Sequence, residues 1–206
     1  MKKIFFLFKI ATIFCVILLI TSCISRAPYP VQNQYGLTIT PPHKTKNFLT
    51  DDVLKINGIN IASPFSDVYF VYRTSNIDYM NDYYNVFVSL PADQINQLTA
   101  KFLAASNLFK FVDYMTNHIE PTFILHTNVH ELYADYRDSN HPKAVMTIQF
   151  TLFKPNHKIH LLFDKTYSES IPLQDKSSTS LVSAWNVGLQ RILTKLTWNL
   201  HGLLAD

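Results

Sequence analysis

The N-terminal segment constrains this chain most, because it predicts that no cysteine remains in the part that folds. A short basic start (residues 1–3), an almost wholly apolar stretch (residues 4–20) and two small residues precede Cys23. This order is typical of a bacterial lipoprotein signal peptide, which is removed to leave an acylated N-terminal cysteine. Cys15 would leave with the signal peptide. The folded part would then have no thiol for a disulfide, a metal or a redox centre.

An uncleaved membrane anchor is the alternative for the same segment. A spanning helix needs about 20 mainly apolar residues, whereas the apolar run after Lys9 reaches only to Ile20. We therefore favour the lipoprotein, and expect the outer membrane because Ile24, not Asp, follows Cys23. The predicted organisation is a signal peptide (1–22), an acylated tether (23–33) and a single periplasmic domain (34–206).

The charge balance argues against nucleic acid as a partner. The chain has 18 Lys and Arg against 15 Asp and Glu, and three of those lysines belong to the signal peptide. The remaining chain would be neutral, without a cluster of basic residues. Because affinity for nucleic acids comes mainly from neutralised phosphates, we expect no nucleic-acid partner.

The hydrophobic pattern predicts an α+β fold. Pro91 suits the first turn of a helix, with Ser89 as its cap, and apolar residues keep helical spacing to about Ser106. Residues 177–180 offer several N-caps for a second helix that runs to about Leu203. The predicted strand regions are 35–39, 53–61, 68–73, 85–88, 108–112, 122–136, 144–153 and 157–171. This order predicts a mostly antiparallel sheet with two main helices packed on one face.

Two histidines, His126 and His130, are the best candidates for a metal site. On a helix their side chains would lie one turn apart, but the neighbouring aromatic and β-branched residues favour a strand. On a strand they would be about 13 Å apart, too far for two ligands that each lie about 2 Å from one zinc ion. We therefore predict strand-surface histidines, with no metal and no cofactor.

The sequence has no recognisable catalytic motif. A Gly-x-Ser-x-Gly turn, a His-Glu-x-x-His helix and a phosphate-binding glycine loop are all missing from it. Paired acids occur at Asp51–Asp52 and at Asp135 with Asp138, in predicted turns. We predict no catalytic residues and a protein that is not an enzyme; an envelope hydrolase with dispersed catalytic residues remains an alternative.

Tyrosine and phenylalanine crowd the stretch between Tyr69 and Phe87. One interpretation is a sheet face beneath the first helix. The other is a partner surface, because Tyr, Phe and Arg concentrate in the centres of protein interfaces. Both can hold at once, since alternate residues of a strand face opposite sides.

Taken together, these segments resemble the ABC-type transport auxiliary lipoprotein family. The resemblance covers nearly all of the chain after the signal peptide. It lies in the lipobox ending at Cys23, Tyr35-Gly36-Leu37, Val71-Tyr72-Arg73, Asp82-Tyr83-Tyr84-Asn85-Val86-Phe87, Leu90-Pro91 with Ile95 and Leu98, and Ala184, Trp185, Asn186 and Leu189.

The resemblance implies a docking role. Such lipoproteins are anchored in the outer membrane, form homo-oligomers, and bind the periplasmic MCE-domain protein and the ABC transporter components of a lipid transport system. The partner-binding residues would be Arg73, Tyr72, Tyr83, Tyr84 and Phe87. We also expect charge reversal at Arg73 to impair assembly more than folding. An adaptor lipoprotein of the cell-wall or secretion machinery is the alternative.

Overall fold

Ten regular elements follow one another in the computed structural model, which describes residues 31–43, 47–114, 119–155 and 160–205. In chain order they are β1 (Asn33–Tyr35), β2 (Thr50–Ile61), β3 (Tyr69–Arg73), β4 (Tyr79–Phe87), α1 (Pro91–Ala105), β5 (Phe109–Asp113), β6 (Phe123–Asp135), β7 (Lys143–Lys154), β8 (His160–Pro172) and α2 (Ser178–Ala205). A 3₁₀ turn (Ser63–Phe65) connects β2 to β3. Residues 32–206 form one structural unit.

Strand β6 is the centre of the sheet. One edge of β6 pairs antiparallel with β7, and β7 pairs antiparallel with β8. The other edge of β6 pairs in parallel with β2 along its first half and with β3 at its end. Strand β5 extends the β2 side, and β4 followed by β1 extends the β3 side. The predicted α+β fold with a mostly antiparallel sheet is confirmed, although β2 and β3 join β6, β5 joins β2 and β1 joins β4 through parallel ladders.

The two faces of the sheet differ in polarity. On the helix side, residues such as Leu125, Ile148 and Phe150 are buried in one hydrophobic core. On the other side, His126 and Gln149 remain partly exposed. This alternation is expected for an antiparallel sheet with one face packed on the core and the other facing water.

Both helices begin close to where the sequence predicts. Pro91 is the first residue of α1, but the residue before it, Leu90, is the cap, and no side chain caps this helix. The prediction of Ser89 as a side-chain cap was wrong: its carbonyl oxygen instead accepts a hydrogen bond from Gln94 Nε2. In α2, the Ser177 hydroxyl accepts the Ser180 N–H, which is the bonding pattern of an N-cap.

The core packs around Trp185 in α2. Its ring contacts Phe70 of β3 and Phe87 of β4, with ring centroids 5.2 and 5.4 Å apart. Its indole N–H donates to the carbonyl oxygen of Val145 in β7. Trp185 therefore links the β3–β4 hairpin, α2 and the long antiparallel ladder.

An extended strap, residues 36–40, follows β1 and is held by side-chain amides of α2. Thr38 N–H donates to Asn186 Oδ1 at 2.9 Å and Thr40 N–H donates to Gln190 Oε1 at 2.8 Å. Each amide group donates back, to Thr38 Oγ1 and to the Thr40 carbonyl oxygen. The predicted strand over 35–39 therefore ends at Tyr35, because helix side chains rather than a neighbouring strand satisfy this backbone.

We expect Asn186→Ala to loosen the strap locally. The change removes two hydrogen bonds and should lower the free energy of unfolding by about 1 kcal/mol. Hydrogen exchange at the Thr38 amide should accelerate while the Thr40 amide stays protected. Gln190→Ala is the matched control and should give the reverse pattern. Equal acceleration at both amides in either variant would contradict independent fixation by the two side chains.

Candidate docking site on the β3–β4 hairpin

A bulge in β4 projects two tyrosines from the hairpin. Tyr69 and Phe70 are consecutive in β3, but they pair with Val86 and Asp82 in β4. Residues 83–85 therefore have no opposite residue in β3. Bulges of this kind redirect side chains away from the sheet.

The carboxylate of Asp82 holds the bulge in place. Its Oδ1 accepts the backbone N–H groups of Tyr84 and Asn85, at 2.8 and 3.1 Å. Its Oδ2 accepts the Tyr72 hydroxyl and Asn85 Nδ2. Four donors from both strands of the hairpin thus converge on one side chain.

These contacts change the acidity of both groups. Burial raises the pKa of the Asp82 carboxyl, but the hydrogen bonds from Tyr72, Asn85 and the bulge backbone outweigh it and hold the pKa below its usual value. Burial, together with the bond to Asp82 and its negative charge, raises the pKa of Tyr72 well above its ordinary value. Tyr72 thus remains a protonated donor to an ionised Asp82.

The two bulge tyrosines are exposed beside the point where the described chain begins. Tyr83 is 61% exposed and Tyr84 is 58% exposed. Gln32 Nε2 donates to the Tyr83 carbonyl oxygen, and Asn33 of β1 pairs with Asn85. We call Tyr83 and Tyr84 the bulge tyrosines.

Arg73 fixes the hairpin tip, residues 73–80. Its guanidinium carbon lies 5.4 Å from the centre of the Tyr79 ring and 5.7 Å from that of Tyr133. It donates to the carbonyl oxygens of Ser75 and Asn76 and to the Tyr133 hydroxyl. These contacts combine cation–π attraction with bonds that close the turn. Arg73 therefore positions the tip.

Apolar side chains at the hairpin tip are exposed to solvent. Ile77 is 87% exposed, and Met80 and Tyr79 are exposed to a lesser extent. Single exposed apolar residues are common on protein surfaces, but a fixed group of them is typical of an interaction site.

The five residues predicted to bind a partner separate in the structure. Tyr83 and Tyr84 are exposed, and Tyr72 and Arg73 are partly buried supports of the hairpin. Phe87 is only 3% exposed and packs between Phe70 and Trp185. Phe87 is thus a core residue in this conformation and no surface for a partner, because its side chain faces the helix side of the sheet.

The sequence pointed to the aromatic segment but not to its organisation. In the sequence, Asp82 is only one charged residue among aromatic ones. Tyr133 lies 60 residues from Arg73. The one local sign of the bulge in the sequence is the short polar side chain of Asp82, directly before the three residues that have no partner in β3. Nothing local marks the contact with Tyr133.

The histidines lie on the polar face of the sheet, as predicted. His126 Nε2 is 3.2 Å from Asn57 Nδ2, and His130 Nε2 is 3.2 Å from Gln149 Oε1. Both histidines lie in strand β6 and are therefore not one helical turn apart. Among the described residues, no group of three or more His, Cys, Asp or Glu side chains is placed to hold a metal ion.

An open groove of about 770 Å³ runs along α1. Its titratable lining residues are Asp93, Lys101 and Tyr114. Within the described part of the chain, these three side chains form no hydrogen-bonded pair of the kind that links a nucleophile to its base. The expectation that the chain is not an enzyme stays a prediction.

Cys23 and the signal peptide (1–22) lie outside the described residues. Within the described ranges, no helix is both long enough and apolar enough to cross a bilayer. Acylation of Cys23 stays a prediction from the sequence.

No protein-family model and no curated protein matches the sequence. Solved structures do resemble the fold. Protein XCC0632 from Xanthomonas campestris, of family DUF330, aligns with a TM-score of 0.73 at 14% identity over 82% of this chain and 96% of its own.

The chain shares that fold. An uncharacterized protein aligns with a TM-score of 0.65 at 12% identity, over 82% of this chain and 99% of its own. The hypothetical protein CT253 from Chlamydia trachomatis aligns with a TM-score of 0.52 at 10% identity, over 75% of this chain and 98% of its own. At such identities the likeness concerns the fold and not the function.

Proposed function

We propose that this chain is an outer-membrane-anchored periplasmic lipoprotein that docks onto an MCE-type ABC lipid transport system as a non-enzymatic component. Support comes from the predicted lipobox at Cys23 and from the resemblance of the hairpin and helix sequences to the auxiliary lipoprotein family. The observation that carries the proposal is the β3–β4 hairpin. Arg73 and Asp82 brace it, and it presents fixed apolar and aromatic side chains to the outside.

The hairpin tip is the part we assign to the protein partner. Interface centres are enriched in Tyr, Met and Arg, and the tip combines Tyr79 and Met80 with the partly buried Arg73 that supports them. A rigid surface loses little conformational entropy on binding. A lipid tether would also restrict the search for a partner to the membrane plane and raise its effective concentration.

The test is co-purification from membranes in mild detergent. The tagged, acylated protein is expected to recover a protein with MCE domains and the permease and ATPase subunits of an ABC transporter. Recovery of cell-wall synthesis or secretion proteins instead would favour the adaptor alternative. Failure to recover any transporter subunit, with or without chemical cross-linking, would contradict the proposal.

Ile77→Glu should disrupt docking without unfolding the protein. The side chain is exposed and makes no core contact, so stability should change by less than about 0.5 kcal/mol, while a charge at an interface centre should lower co-purification about tenfold. Ile119→Glu is the matched control, because Ile119 is also exposed but lies outside the hairpin. Equal recovery of the partner by both variants would exclude the hairpin tip as the contact.

Ile77 is a better position than Arg73 for this test because of the contacts that Arg73 makes. The sequence analysis expects Arg73→Glu to impair assembly more than folding. In the structure, the substitution would also lose the contacts with Tyr79 and Tyr133 and place a carboxylate beside the Tyr133 hydroxyl. Loss of binding in Arg73→Glu would therefore not separate docking from stability, whereas Ile77→Glu does.

A further inference from the structure

We propose that the bulge tyrosines, Tyr83 and Tyr84, rest on the phospholipid surface of the membrane that holds the lipid anchor. This inference builds on the proposed anchoring at Cys23. It assigns a lipid surface, rather than the protein partner, to this part of the hairpin.

The length of chain before the domain brings this surface to the bilayer. Residues 24–30 are all that separates Cys23 from Val31, so even a fully extended segment reaches no more than about 30 Å. Val31 is directly followed by Gln32, which is hydrogen-bonded to the Tyr83 carbonyl oxygen. The bulge tyrosines are thus the exposed aromatic residues next to the point where the tether meets the domain.

Another exposed aromatic side chain, Trp198, lies farther along the sheet from the tether. The hairpin lies beside the last residues of β6, where Tyr72 pairs with Ala134. Trp198 lies near the end of α2, where Asn199 contacts Lys165 toward the start of β8. Lys165 pairs with Phe150, which pairs with Thr127, seven positions before Ala134 in β6, and seven residues of strand amount to about 23 Å. The tether therefore favours the hairpin end for contact with lipid.

The chemistry of the bulge suits the interfacial zone of a bilayer. A tyrosine ring is apolar while its hydroxyl is polar, which is why Tyr is enriched at both membrane–water interfaces. The nearest carboxylate, Asp82, is surrounded by four hydrogen-bond donors. Both carboxylate oxygens are therefore satisfied within the hairpin and need no water or headgroup as a partner.

The bulge also holds these rings outward before any contact occurs. The Tyr83 ring packs edge to face on Tyr69 with centroids 5.1 Å apart, and Asp82 fixes the backbone on the C-terminal side of Tyr83. Because the Tyr83 ring is already packed and the bulge backbone is fixed, contact with headgroups costs little conformational entropy.

Fluorescence quenching by lipid can test this contact. The acylated full-length protein would be reconstituted in vesicles of phosphatidylethanolamine and phosphatidylglycerol carrying bromine on their acyl chains. Trp198→Phe removes the exposed native tryptophan and leaves the buried Trp185. In that background, Tyr83→Trp places a reporter on the bulge. We expect its emission to be strongly quenched by brominated lipid and shifted to shorter wavelength.

Tyr114→Trp in the same background is the matched control. Tyr114 is also exposed, directly after β5, and β5 and β1 lie at opposite ends of the strand order. The emission intensity of this control should be the same in brominated vesicles as in vesicles without bromine. Equal quenching of the two reporters, or none at Tyr83→Trp, would overturn the inference.

Two further results separate this inference from the proposed function. Mass spectrometry of the same sample shows whether Cys23 is acylated, and an unmodified Cys23 would refute the anchor itself. If Cys23 is acylated but the Tyr83→Trp emission responds only when purified transporter is added, the bulge binds protein. In that case the lipid contact is wrong while the docking function stands.

Discussion

Trp185→Ala should destabilise the domain by about 4 kcal/mol, the magnitude measured when large aromatic residues are removed from protein cores. The substitution leaves a cavity between Phe70 and Phe87 and removes the donor to the Val145 carbonyl oxygen. Because Trp185 connects α2 to β3 and β4, we expect the loss of stability to affect the whole domain. Urea unfolding followed by circular dichroism measures it as a lower midpoint.

Trp198→Ala is the control for this prediction. Trp198 lies in the same helix but is 78% exposed, so its removal should change the free energy of unfolding by less than about 0.5 kcal/mol. The pair thus compares equal losses of side-chain volume in one helix. Comparable destabilisation by the two substitutions would mean that Trp185 does not connect the elements as described.

The sequence predicts the fold class because its signals are local. Alternating apolar residues in β6 and β7 mark strands with one buried face, and Pro91 and Ser177 mark the helix starts within a residue or two. These features depend on residues a few positions apart. The parallel pairing of β2 and β3 along one edge of β6 depends on segments far apart in sequence, and no local pattern encodes it.

The strap shows the same limit at the scale of single residues. Leu37 and Ile39 alternate with polar residues as in a strand, yet the strap runs along helix α2. Its backbone partners Asn186 and Gln190 lie about 150 positions away. A pattern of side chains cannot distinguish a neighbouring strand from a row of amide side chains.

The candidate site was predicted as a region and not as a geometry. Composition identified the aromatic stretch, and Phe87 was included among the expected partner-binding residues. The bulge shifts the register of β4 by three residues at Asp82, which decides which rings point outward. Tyr83 and Tyr84 are exposed while Phe87 joins the core, a division that depends on the pairing with β3.

Asp82→Ala should release the bulge, and we expect it to lower the free energy of unfolding by about 2 kcal/mol, because a carboxylate that accepts several hydrogen bonds is lost. The backbone N–H groups of Tyr84 and Asn85 would lose their acceptor, and their hydrogen exchange should accelerate most. Residues of β7 and β8 should keep their protection relative to global unfolding. Uniform acceleration across the sheet, or none in the hairpin, would contradict a local role of Asp82.

The pH dependence of the same contact has a definite sign. Since folding lowers the pKa of Asp82, its stabilising effect is complete above the unfolded-state value of about 3.9 and is lost as the pH falls through the folded-state value. Wild-type protein should therefore lose hairpin protection below about pH 4, after correction for intrinsic exchange rates. Asp82→Asn keeps the shape of the side chain but cannot ionise, so its hairpin protection should lack this acid transition. An identical acid transition in both proteins would assign it to other carboxylates and remove Asp82 as the group that ties the bulge to pH.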